Sequence, residues 1–328
     1  MRVLVTGGAG YVGSVTVAEL VRAGHDVAVY DNLSTGHAAA LPAGVPLTVG
    51  ELGDAERLDA AFRAGPFDAV MHFAGLIAVG ESMAEPGRYF QNNVADTITL
   101  VNAALCHGVR RFVFSSSAAV YGVPETAPIP EDHPIRPINV YGETKAMVER
   151  ILAWYGSQAG LASVCLRYFN AAGATEDLGE AHDPETHLIP LVLQVPLGRR
   201  PAVRLFGTDY ETPDGTCVRD YIHVSDLAQA HVLALERCHG GWRAYNLGNG
   251  RGFSNREVIE AARRVTGHPI PVEEAPRRPG DPPVLVAAAE RARRELGWEP
   301  RVTSLDAIVE SAWRWHRAHP DGYPPVEG

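Results

Sequence analysis

The first half of the chain alternates short apolar runs with segments that carry apolar residues at helical spacing. The apolar runs are residues 3–6, 26–30, 47–49, 69–73, 112–115 and 162–167, and the helical segments are residues 11–23, 54–64, 89–107 and 141–158. Near-continuous apolar strands separated by helices are what a parallel sheet covered on both faces requires. The sequence therefore predicts an α/β fold with a Rossmann-type, doubly wound parallel sheet.

The first strand runs directly into a glycine-rich segment and then into a helix. The glycines of this segment are Gly7, Gly8, Gly10 and Gly13. The last three fit the pattern G-x-G-x-x-G, and the set without Gly8 fits a variant with one more spacer residue. Glycines here let the backbone turn tightly and let a pyrophosphate approach the helix N-terminus, where free amides and the helix dipole favour anions. The segment predicts a dinucleotide-binding loop.

An acidic residue, Asp31, ends the second strand at the distance from Gly13 that a dinucleotide site requires. A carboxylate there accepts hydrogen bonds from both hydroxyls of the adenosine ribose, and it would repel a 2′-phosphate. The next residues, Asn32, Leu33 and Ser34, offer no basic replacement. The sequence therefore predicts NAD rather than NADP.

Tyr141 and Lys145 are spaced so that a phenol and an ammonium share one face of a predicted helix. Lys145 is the only lysine in the sequence, although Lys and Arg together number 29. A phenol with a pKa of about 10 is a poor base at neutral pH, and a cation within ~4–6 Å could lower that pKa by about 1–3 units. An arginine would supply charge but not a compact ammonium that can bond two ribose hydroxyls beside the phenol. The pair predicts acid–base chemistry.

Three serines, Ser115, Ser116 and Ser117, end the strand that begins at Phe112. Open α/β sheets bind their ligands at the carboxyl ends of the strands. A hydroxyl at this edge can bond both the reacting oxygen of a substrate and the hydroxyl of Tyr141. A protease-type serine triad is not supported, because the sequence has no G-x-S-x-G elbow.

The composition argues against several other classes of protein. A net charge of −10 is unfavourable for binding nucleic acid, which needs a basic face. No apolar run reaches the ~20 residues that cross a bilayer, and the chain begins with a strand rather than a signal peptide. The cysteines, Cys106, Cys165, Cys217 and Cys238, lie far apart without metal-ligand spacing. We therefore expect a cytoplasmic protein that binds no nucleic acid, no membrane and no metal ion.

The alternation of strands and helices breaks down after about Asn170, where long loops separate short helices. The predicted helices are residues 188–197, 224–237, 254–265, 288–296 and 305–317, with a further strand at residues 244–247. Loops of this length in a compact protein are usually functional. We expect an NAD-binding domain of residues 1–170, joined by residues of about 219–250 that return to the sheet. A smaller C-terminal α/β substrate domain would contain residues 171–218 and 251–328.

With these residues established, the chain resembles the extended short-chain dehydrogenase/reductase family over essentially its whole length. Besides the glycine loop and the Tyr141–Lys145 pair, the resemblance is carried by HFAG at 72–75, VGES at 79–82, NNV at 92–94, YFN at 168–170, HLIP at 187–190, DGTCVRDYIH at 214–223 and RRPGD at 277–281. Within the family the chain is most similar to the enzymes that invert C4 of UDP-hexoses. The resemblance implies that tightly bound NAD oxidises C4 of UDP-galactose or UDP-glucose, and that the keto sugar turns its other face before it is reduced.

The resemblance also implies roles for individual residues. Tyr141 would be the base, Ser117 would share its hydrogen bond, and Lys145 would complete the catalytic set. The NAD site would consist of Gly7, Gly10, Tyr11, Val12, Gly13, Asp31, Asn32, Glu51, Leu52, Phe73, Ala74, Gly75, Asn92, Ser115, Tyr141, Lys145 and Tyr168. The UDP-sugar would contact Ser117, Tyr141, Asn170, His187, Leu188, Arg219, Arg278 and Asp281, with the two arginines as phosphate clamps. Members of the family usually form homodimers through the two helices that correspond to residues 89–107 and 141–158.

Some positions depart from the pattern of the family or leave alternatives open. Ile77 stands where many members have a lysine near the cofactor, and Glu51 replaces a more usual aspartate. Leu285 stands where the family varies between a large aromatic and a small residue, which influences whether N-acetylated sugars fit. A 4,6-dehydratase would need an acidic pair in place of Ala118 and Ala119. A 4-epimerase of UDP-N-acetylhexosamines or UDP-uronates on the same scaffold stays open as an alternative.

Overall fold

The computed structural model describes residues 1–278 and 281–324, so Pro279 and Gly280 of the RRPGD motif and the last four residues lie outside the described residues. A parallel sheet forms the centre of the molecule. Its strands are β1 (Arg2–Thr6), β2 (Asp26–Asp31), β3 (Leu47–Val49), β4 (Ala69–His72), β5 (Arg111–Ser117), β6 (Ala162–Tyr168) and β11 (Trp242–Leu247). Their order is β11-β6-β5-β4-β1-β2-β3. Connections lead in opposite directions on the two sides of β1, which opens a crevice between β1 and β4 at their carboxyl ends. The predicted fold class is confirmed.

Helices cover both faces of the sheet. Neighbouring residues of each strand point to opposite sides, so apolar side chains stand on both faces and both must be buried. In β1, Val3 and Val5 belong to one hydrophobic cluster and Leu4 belongs to another. The first cluster also contains residues of α1 (Tyr11–Arg22) and α8 (Val224–Glu236). The second contains residues of α2 (Ala55–Arg63), α5 (Asp96–Cys106) and α6 (Val140–Ala159). The functional side chains are thus supported by a packed layer on either side.

The segment predicted as one helix over residues 89–107 follows a helical path with a widened turn in it. A short helix α3 (Val79–Ala84) precedes α4 (Pro86–Phe90), a π-helical turn (Gln91–Ala95) and then α5. The π-helical turn buries Asn93, whose side-chain oxygen accepts from the Leu76 backbone N–H at 2.8 Å and whose amide donates to the Leu76 carbonyl at 3.0 Å. Widened turns of this kind are frequent at functional sites. Here the turn fastens the loop that follows β4.

The C-terminal half has a hydrophobic cluster of its own. That cluster is formed by α7 (Leu188–Leu193), α9 (Asn255–Thr266) and α11 (Leu305–Ala318), together with short strands. The strand groups are β7 (Asn170–Ala172) with β10 (Tyr221–His223), β9 (Val218–Arg219) between β12 (Phe253–Ser254) and β14 (Val284–Leu285), and β8 (Val203–Phe206) with β13 (Val272–Ala275). None of the described helices is long and apolar enough to cross a membrane.

One helix of the C-terminal half packs against the central sheet instead. Ala292 and Leu296 of α10 (Glu290–Leu296), together with Trp298, lie in the hydrophobic cluster that contains α1 and α8. The Trp298 indole N–H donates to the Asp226 carbonyl of α8 at 2.8 Å. The sequence-based boundary assigned these residues to the smaller domain. They pack at the edge of the central sheet, in the same cluster as Tyr245 and Leu247 of β11.

Candidate active site

The glycine-rich segment joins β1 to α1 through backbone contacts that exclude larger residues. Gly7 has a φ of +71°, and a Cβ built there would lie 2.3 Å from the backbone nitrogen of Ala74. A Cβ built at Gly13 would lie 2.1 Å from the carbonyl oxygen of Gly7. Gly10 precedes α1 and leaves the helix without a capping side chain. The first amides of α1, which include those of Tyr11 and Val12, therefore face outward without an intrahelical acceptor.

Asp31 lies beside this loop with its carboxylate fixed in place. It accepts hydrogen bonds from the backbone N–H groups of Ala9 at 2.9 Å and Leu33 at 2.8 Å. Burial raises the pKa of Asp31, and those two hydrogen bonds oppose the effect. The remaining lone pairs of an oriented, buried carboxylate fit the two hydroxyls of a ribose.

Next to Asp31, the predicted adenine-edge residues come together at the ends of β2 and β3. The Asn32 amide lies 3.0 and 3.2 Å from the two carboxylate oxygens of Glu51. The Tyr30 hydroxyl donates to the Glu51 carbonyl at 2.8 Å, and Leu52 is buried. The structure thus places Asn32, Glu51 and Leu52 in one group with Asp31.

Tyr141 and Lys145 lie in the first turns of α6, where Asn139 caps the helix. The Lys145 ammonium is 5.8 Å from the centre of the Tyr141 ring and donates a hydrogen bond to the Ser115 carbonyl at 2.9 Å. Burial lowers the pKa of Lys145 to about 8, while the nearby carboxylate of Glu149 acts in the opposite direction. The predicted pair is therefore assembled at the carboxyl end of β5.

The phenol of Tyr141 has a perturbed pKa. Burial raises the pKa of Tyr141, and a hydrogen bond with the Ser117 hydroxyl opposes this increase. The net direction is opposite to the one expected from the charge of Lys145 alone. The reason is that the sequence shows the spacing of the two residues but not how deeply the phenol is buried.

The three consecutive serines have three different partners. Ser115 shares a hydrogen bond with the Tyr168 hydroxyl, and Ser116 donates to a Glu149 carboxylate oxygen at 2.5 Å. Ser117 accepts from the Ala119 backbone N–H at 3.1 Å and also bonds Tyr141. Of the three, Ser117 is therefore the serine whose hydroxyl meets the phenol.

The residues after β4 form a wall near the Lys145 ammonium. The backbone N–H groups of Phe73 and Ala74 both donate to the Thr6 carbonyl, at 2.8 and 3.1 Å. A Cβ built at Gly75 would lie 3.7 Å from the Lys145 ammonium nitrogen. The HFAG segment therefore closes the space between the glycine loop and α6.

Two buried residues in this region were missed by sequence reasoning. Asn93 holds the loop after β4 and donates to Thr144 of α6 at 3.1 Å, whereas the predicted Asn92 is only partly buried. His231 of α8 packs its ring against both Phe73 and Tyr168, with ring centres 4.6 and 5.8 Å apart. The NNV motif was a usable signal for Asn93, but nothing in the local sequence points to His231.

The predicted substrate residues of the second half are partly brought together. Arg219 donates to the Asp281 carboxylate at 3.0 Å and lies opposite Leu285 in the pairing of β9 and β14. Arg278 lies with its guanidinium 4.0 Å from the centre of the Phe206 ring. Asn170 begins β7. Arg219, Asp281 and Leu285 thus form one group, and Arg278 lies in the loop after β13, over the last residue of β8.

His187 precedes α7, which begins at Leu188, and it belongs to a cluster of acids and imidazoles. Glu180, His182 and His187 each place one potential ligand atom within 4.8 Å of the others, which is compatible with a metal ion. The same groups are paired among themselves: Glu180 contacts His182, and Glu185 lies 2.8 Å from the His187 Nδ1. Burial acts to lower the pKa of both histidines, but the paired carboxylates outweigh it and raise both values. The carboxylates of Glu180 and Glu185 thus favour the protonated form of the two imidazoles.

The fold and this set of residues define a class of protein. The family described as NAD dependent epimerase/dehydratase matches residues 3–248, and the chain belongs to this family. A curated relative, the UDP-glucose 4-epimerase of Halalkalibacterium halodurans, is 54% identical over 327 residues, which cover 98% of each chain.

Solved structures of the same kind are also similar. The structure of UDP-glucose 4-epimerase from Brucella ovis in complex with NAD has a TM-score of 0.92 and 47% identity, and the match covers 95% of this chain and 97% of that one. The enzyme from Bifidobacterium longum in complex with NAD+ and UDP has a TM-score of 0.94 and 40% identity, over 98% of this chain and 100% of that one.

Proposed function

We infer that this protein acts as a UDP-glucose 4-epimerase, which interconverts UDP-galactose and UDP-glucose with bound NAD. The observation that carries this inference is the meeting of Tyr141, Ser117 and Lys145 at the carboxyl edge of the sheet, beside the glycine loop. Similarity to UDP-glucose 4-epimerases over nearly the whole chain supports the same reaction.

The cofactor site fits NAD. The contacts at Gly7 and Gly13 leave a cradle that a Cβ would fill, and the uncapped amides of α1 suit a pyrophosphate. Asp31 would hold the adenosine ribose and Lys145 the nicotinamide ribose. Bound NAD supplies the acceptor for the C4 hydride and returns the same hydride, so no added oxidant or reductant is needed. The HFAG wall, Ser115 and Tyr168 would surround the nicotinamide.

The proton is handled by the protein. Tyr141 would take the proton of the 4-hydroxyl as the hydride leaves C4, and it would return that proton when the hydride comes back to the other face. Ser117 bonds the phenol and opposes the effect of burial on its pKa. A buried cation, Lys145, stabilises the phenolate form while the proton is away.

The grip on the nucleotide would come from the second half of the chain. We propose that residues 171–218 and 251–328 hold the UDP-sugar, while residues 1–170 and about 219–250 hold NAD. Two residues at the boundaries of the NAD-binding part would also contribute. Arg219, together with Arg278, would bind phosphate oxygens, and Asn170, together with the backbone at 187–188, would meet the diphosphate or the base. Asp281 would accept from ribose hydroxyls. Firm binding of the nucleotide lets the sugar turn without being released.

The position of Leu285 favours UDP-N-acetylhexosamines as a second class of substrate. Leu285 pairs with Arg219 and also packs against the cluster that contains Ala118 and Tyr121, which follow Ser117. It therefore lies between the phosphate-binding arginine and the catalytic serine, where the hexose would be. A leucine is intermediate in size between an aromatic and a small residue, so UDP-N-acetylhexosamines are the second candidate substrates.

The substrate assignment is tested by incubating the purified protein separately with UDP-galactose, UDP-N-acetylgalactosamine and UDP-glucuronate, without added reductant. Chromatography of the nucleotide sugars measures each product. We expect UDP-galactose to give UDP-glucose fastest. Faster turnover of the glucuronate, or no turnover of UDP-galactose, would contradict the assignment.

We also propose a homodimer formed through α5 and α6. Trp154 of α6 is 69% exposed, and Met147 and Ile151 continue an apolar line along the same helix. The Tyr155 hydroxyl donates to Asn102 of α5 at 2.7 Å, which links the two helices into one surface. Pairing of this surface with its copy would cover the exposed indole.

We propose that the protein is cytoplasmic. Cys165, Cys217 and Cys238 are buried free thiols. Free thiols of this kind are typical of proteins from reducing compartments.

A further inference from the structure

We propose that Glu149 is a positioning residue, which holds Lys145 and the serine end of β5 in the arrangement that the reaction needs. This inference rests on the proposed function, because it takes Tyr141 and Lys145 as the residues that carry the chemistry.

Glu149 lies on the catalytic face of α6. It is one helical turn beyond Lys145 and two turns beyond Tyr141, and it is 1% exposed. Its carboxylate accepts a hydrogen bond from Ser116 at 2.5 Å. Ser116 stands between Ser115, whose carbonyl accepts from Lys145, and Ser117, whose hydroxyl meets Tyr141. The carboxylate therefore joins α6 to the end of β5, where Lys145 contacts Ser115 and Tyr141 contacts Ser117.

A buried arginine completes the connection. Arg167, also 1% exposed, donates to both Glu149 oxygens, with Nε 2.9 Å from Oε1 and Nη2 2.5 Å from Oε2. It lies directly opposite Ser116 in the pairing of β5 and β6. Its remaining Nη1 donates to the Tyr121 hydroxyl at 2.9 Å. Tyr121 belongs to the turn that follows Ser117, so the arginine supports the strand end from the other side.

The contacts of Glu149 fix the position of α6 along β5. If α6 slid along β5, the Lys145–Ser115 hydrogen bond and the Tyr141–Ser117 hydrogen bond would both be lost. Glu149 prevents such a shift, because its two oxygens are already engaged by β5 and β6. A buried, bidentate ion pair tolerates little displacement, since an unpaired buried charge is costly.

The same carboxylate also acts on Lys145 through its charge. The groups that face Lys145 are Tyr141 and Glu149 from α6, His72 from β4, and the Phe114 ring and Ser115 carbonyl from β5. Burial lowers the pKa of His72 to about 3, so this imidazole is neutral. Glu149 is the group that opposes the effect of burial on the pKa of Lys145. Its charge therefore favours the ammonium form of Lys145.

Two variants separate the effect of the Glu149 charge on Lys145 from its effect on the position of β5. Glu149→Gln removes the charge and keeps nearly the same shape, whereas Ser116→Ala keeps the ion pair and removes the link to β5. Glu143→Gln is the matched control, because Glu143 lies on the same helix but pairs with Arg150 at the surface. For each protein, kcat and KM for UDP-galactose are measured over a pH series, together with bound NAD.

For Glu149→Gln we expect the alkaline limb of the kcat profile to move to lower pH by about one unit, with kcat near pH 8 reduced ~5-fold and KM changed less than about twofold. For Ser116→Ala we expect a ~3–10-fold lower kcat at every pH, because the link that positions the strand end is lost. The control should match the wild type.

Each outcome decides the question. A Glu149→Gln enzyme that loses only stability or active fraction, with its alkaline limb in place, would overturn the charge effect. A Ser116→Ala enzyme with the kcat of the wild type would overturn the positioning effect, and this variant answers even if Glu149→Gln does not fold. Absence of epimerase activity in the wild type would instead contradict the proposed function.

Discussion

The ammonium of Lys145 donates a hydrogen bond to the backbone carbonyl of Ser115, 2.9 Å away. That carbonyl is two residues before Ser117, whose hydroxyl bonds the phenol of Tyr141. A lysine on α6 and a serine at the end of β5 are thus held by the same short stretch of strand. The base and its hydrogen-bond partner are therefore arranged by secondary structure.

Replacement of Tyr141 by phenylalanine should abolish most turnover and leave the cofactor in place. Removal of a general base typically costs ~10²–10⁴-fold in rate. The fold should be retained, since the aromatic ring stays. Turnover is measured by chromatography of the nucleotide sugars, and bound NAD by absorbance after denaturation. Tyr245→Phe is the control, because the Tyr245 hydroxyl donates to Glu295 at 3.1 Å, away from the site. Normal turnover of Tyr141→Phe would refute the role of the phenol.

Replacement of Asp31 by asparagine should weaken NAD binding and reduce discrimination against NADP. Hydrogen bonds to a charged group contribute about 1.5–3 kcal/mol each, so we expect a loss of at least ~10-fold in affinity for NAD. The relative affinity for NADP should rise, because the carboxylate no longer repels a 2′-phosphate. Fluorescence titration of the cofactor-free protein measures the affinities for NAD and for NADP. Asp26→Asn, at the exposed start of β2, is the control. An unchanged ratio of the two affinities would refute the assignment.

The buried His72 should make the free energy of unfolding depend on pH. Its Nδ1 lies 2.7 Å from Thr6 Oγ1 and its Nε2 lies 2.9 Å from Thr97 Oγ1, and burial lowers its pKa to about 3. Between the unfolded pKa of about 6.5 and the folded value, only the unfolded chain binds a proton at this site. Stability from this residue is therefore present above about pH 6.5 and is lost as the pH falls, by up to ~1.4 kcal/mol per unit.

The variant His72→Gln tests this, because glutamine keeps a donor and an acceptor but does not titrate. Urea unfolding at several values between about pH 7 and 5 should show a steeper loss of stability in the wild type than in the variant. Parallel slopes for the two proteins would mean that His72 does not stay neutral in the fold.

Replacement of Trp154 by glutamate should convert the proposed dimer to a monomer. A charge placed at the centre of a buried apolar interface would be left unpaired, and this is costly. Sedimentation analysis measures the mass in solution. Val21→Glu, at a 42% exposed position of α1, is the control and should leave the mass unchanged. A wild-type protein that sediments as a monomer would contradict the proposed dimer.

Much of the fold could be predicted because its signals are local. The helix predicted over residues 54–64 is found as Ala55–Arg63 with Asp54 as its cap, since the apolar spacing and the capping residue lie together in the sequence. The end of β1 and the start of α1, on either side of the glycine loop, were predictable for the same reason. The π-helical turn was not, because one extra residue shifts the apolar pattern by a single position and the spacing on either side of the turn remains helical.

The properties of the site that were missed depend on distant parts of the chain. The pKa of Tyr141 depends on how deeply the fold buries it. The cluster of Glu180, His182 and His187 depends on how a loop folds back on itself. The position of His231 against Phe73 depends on α8 packing against the sheet beside the end of β4. None of these relationships leaves a periodic pattern in the sequence.

The central claim is that a hydride leaves C4 of the sugar and returns to the same carbon. UDP-galactose that carries deuterium at C4 of the galactose tests it most directly, with the product examined by NMR and mass spectrometry. We expect the UDP-glucose formed to keep the deuterium at C4 and to form more slowly than from unlabelled substrate. Loss of the deuterium to water, or its appearance at another carbon, would contradict hydride transfer at C4.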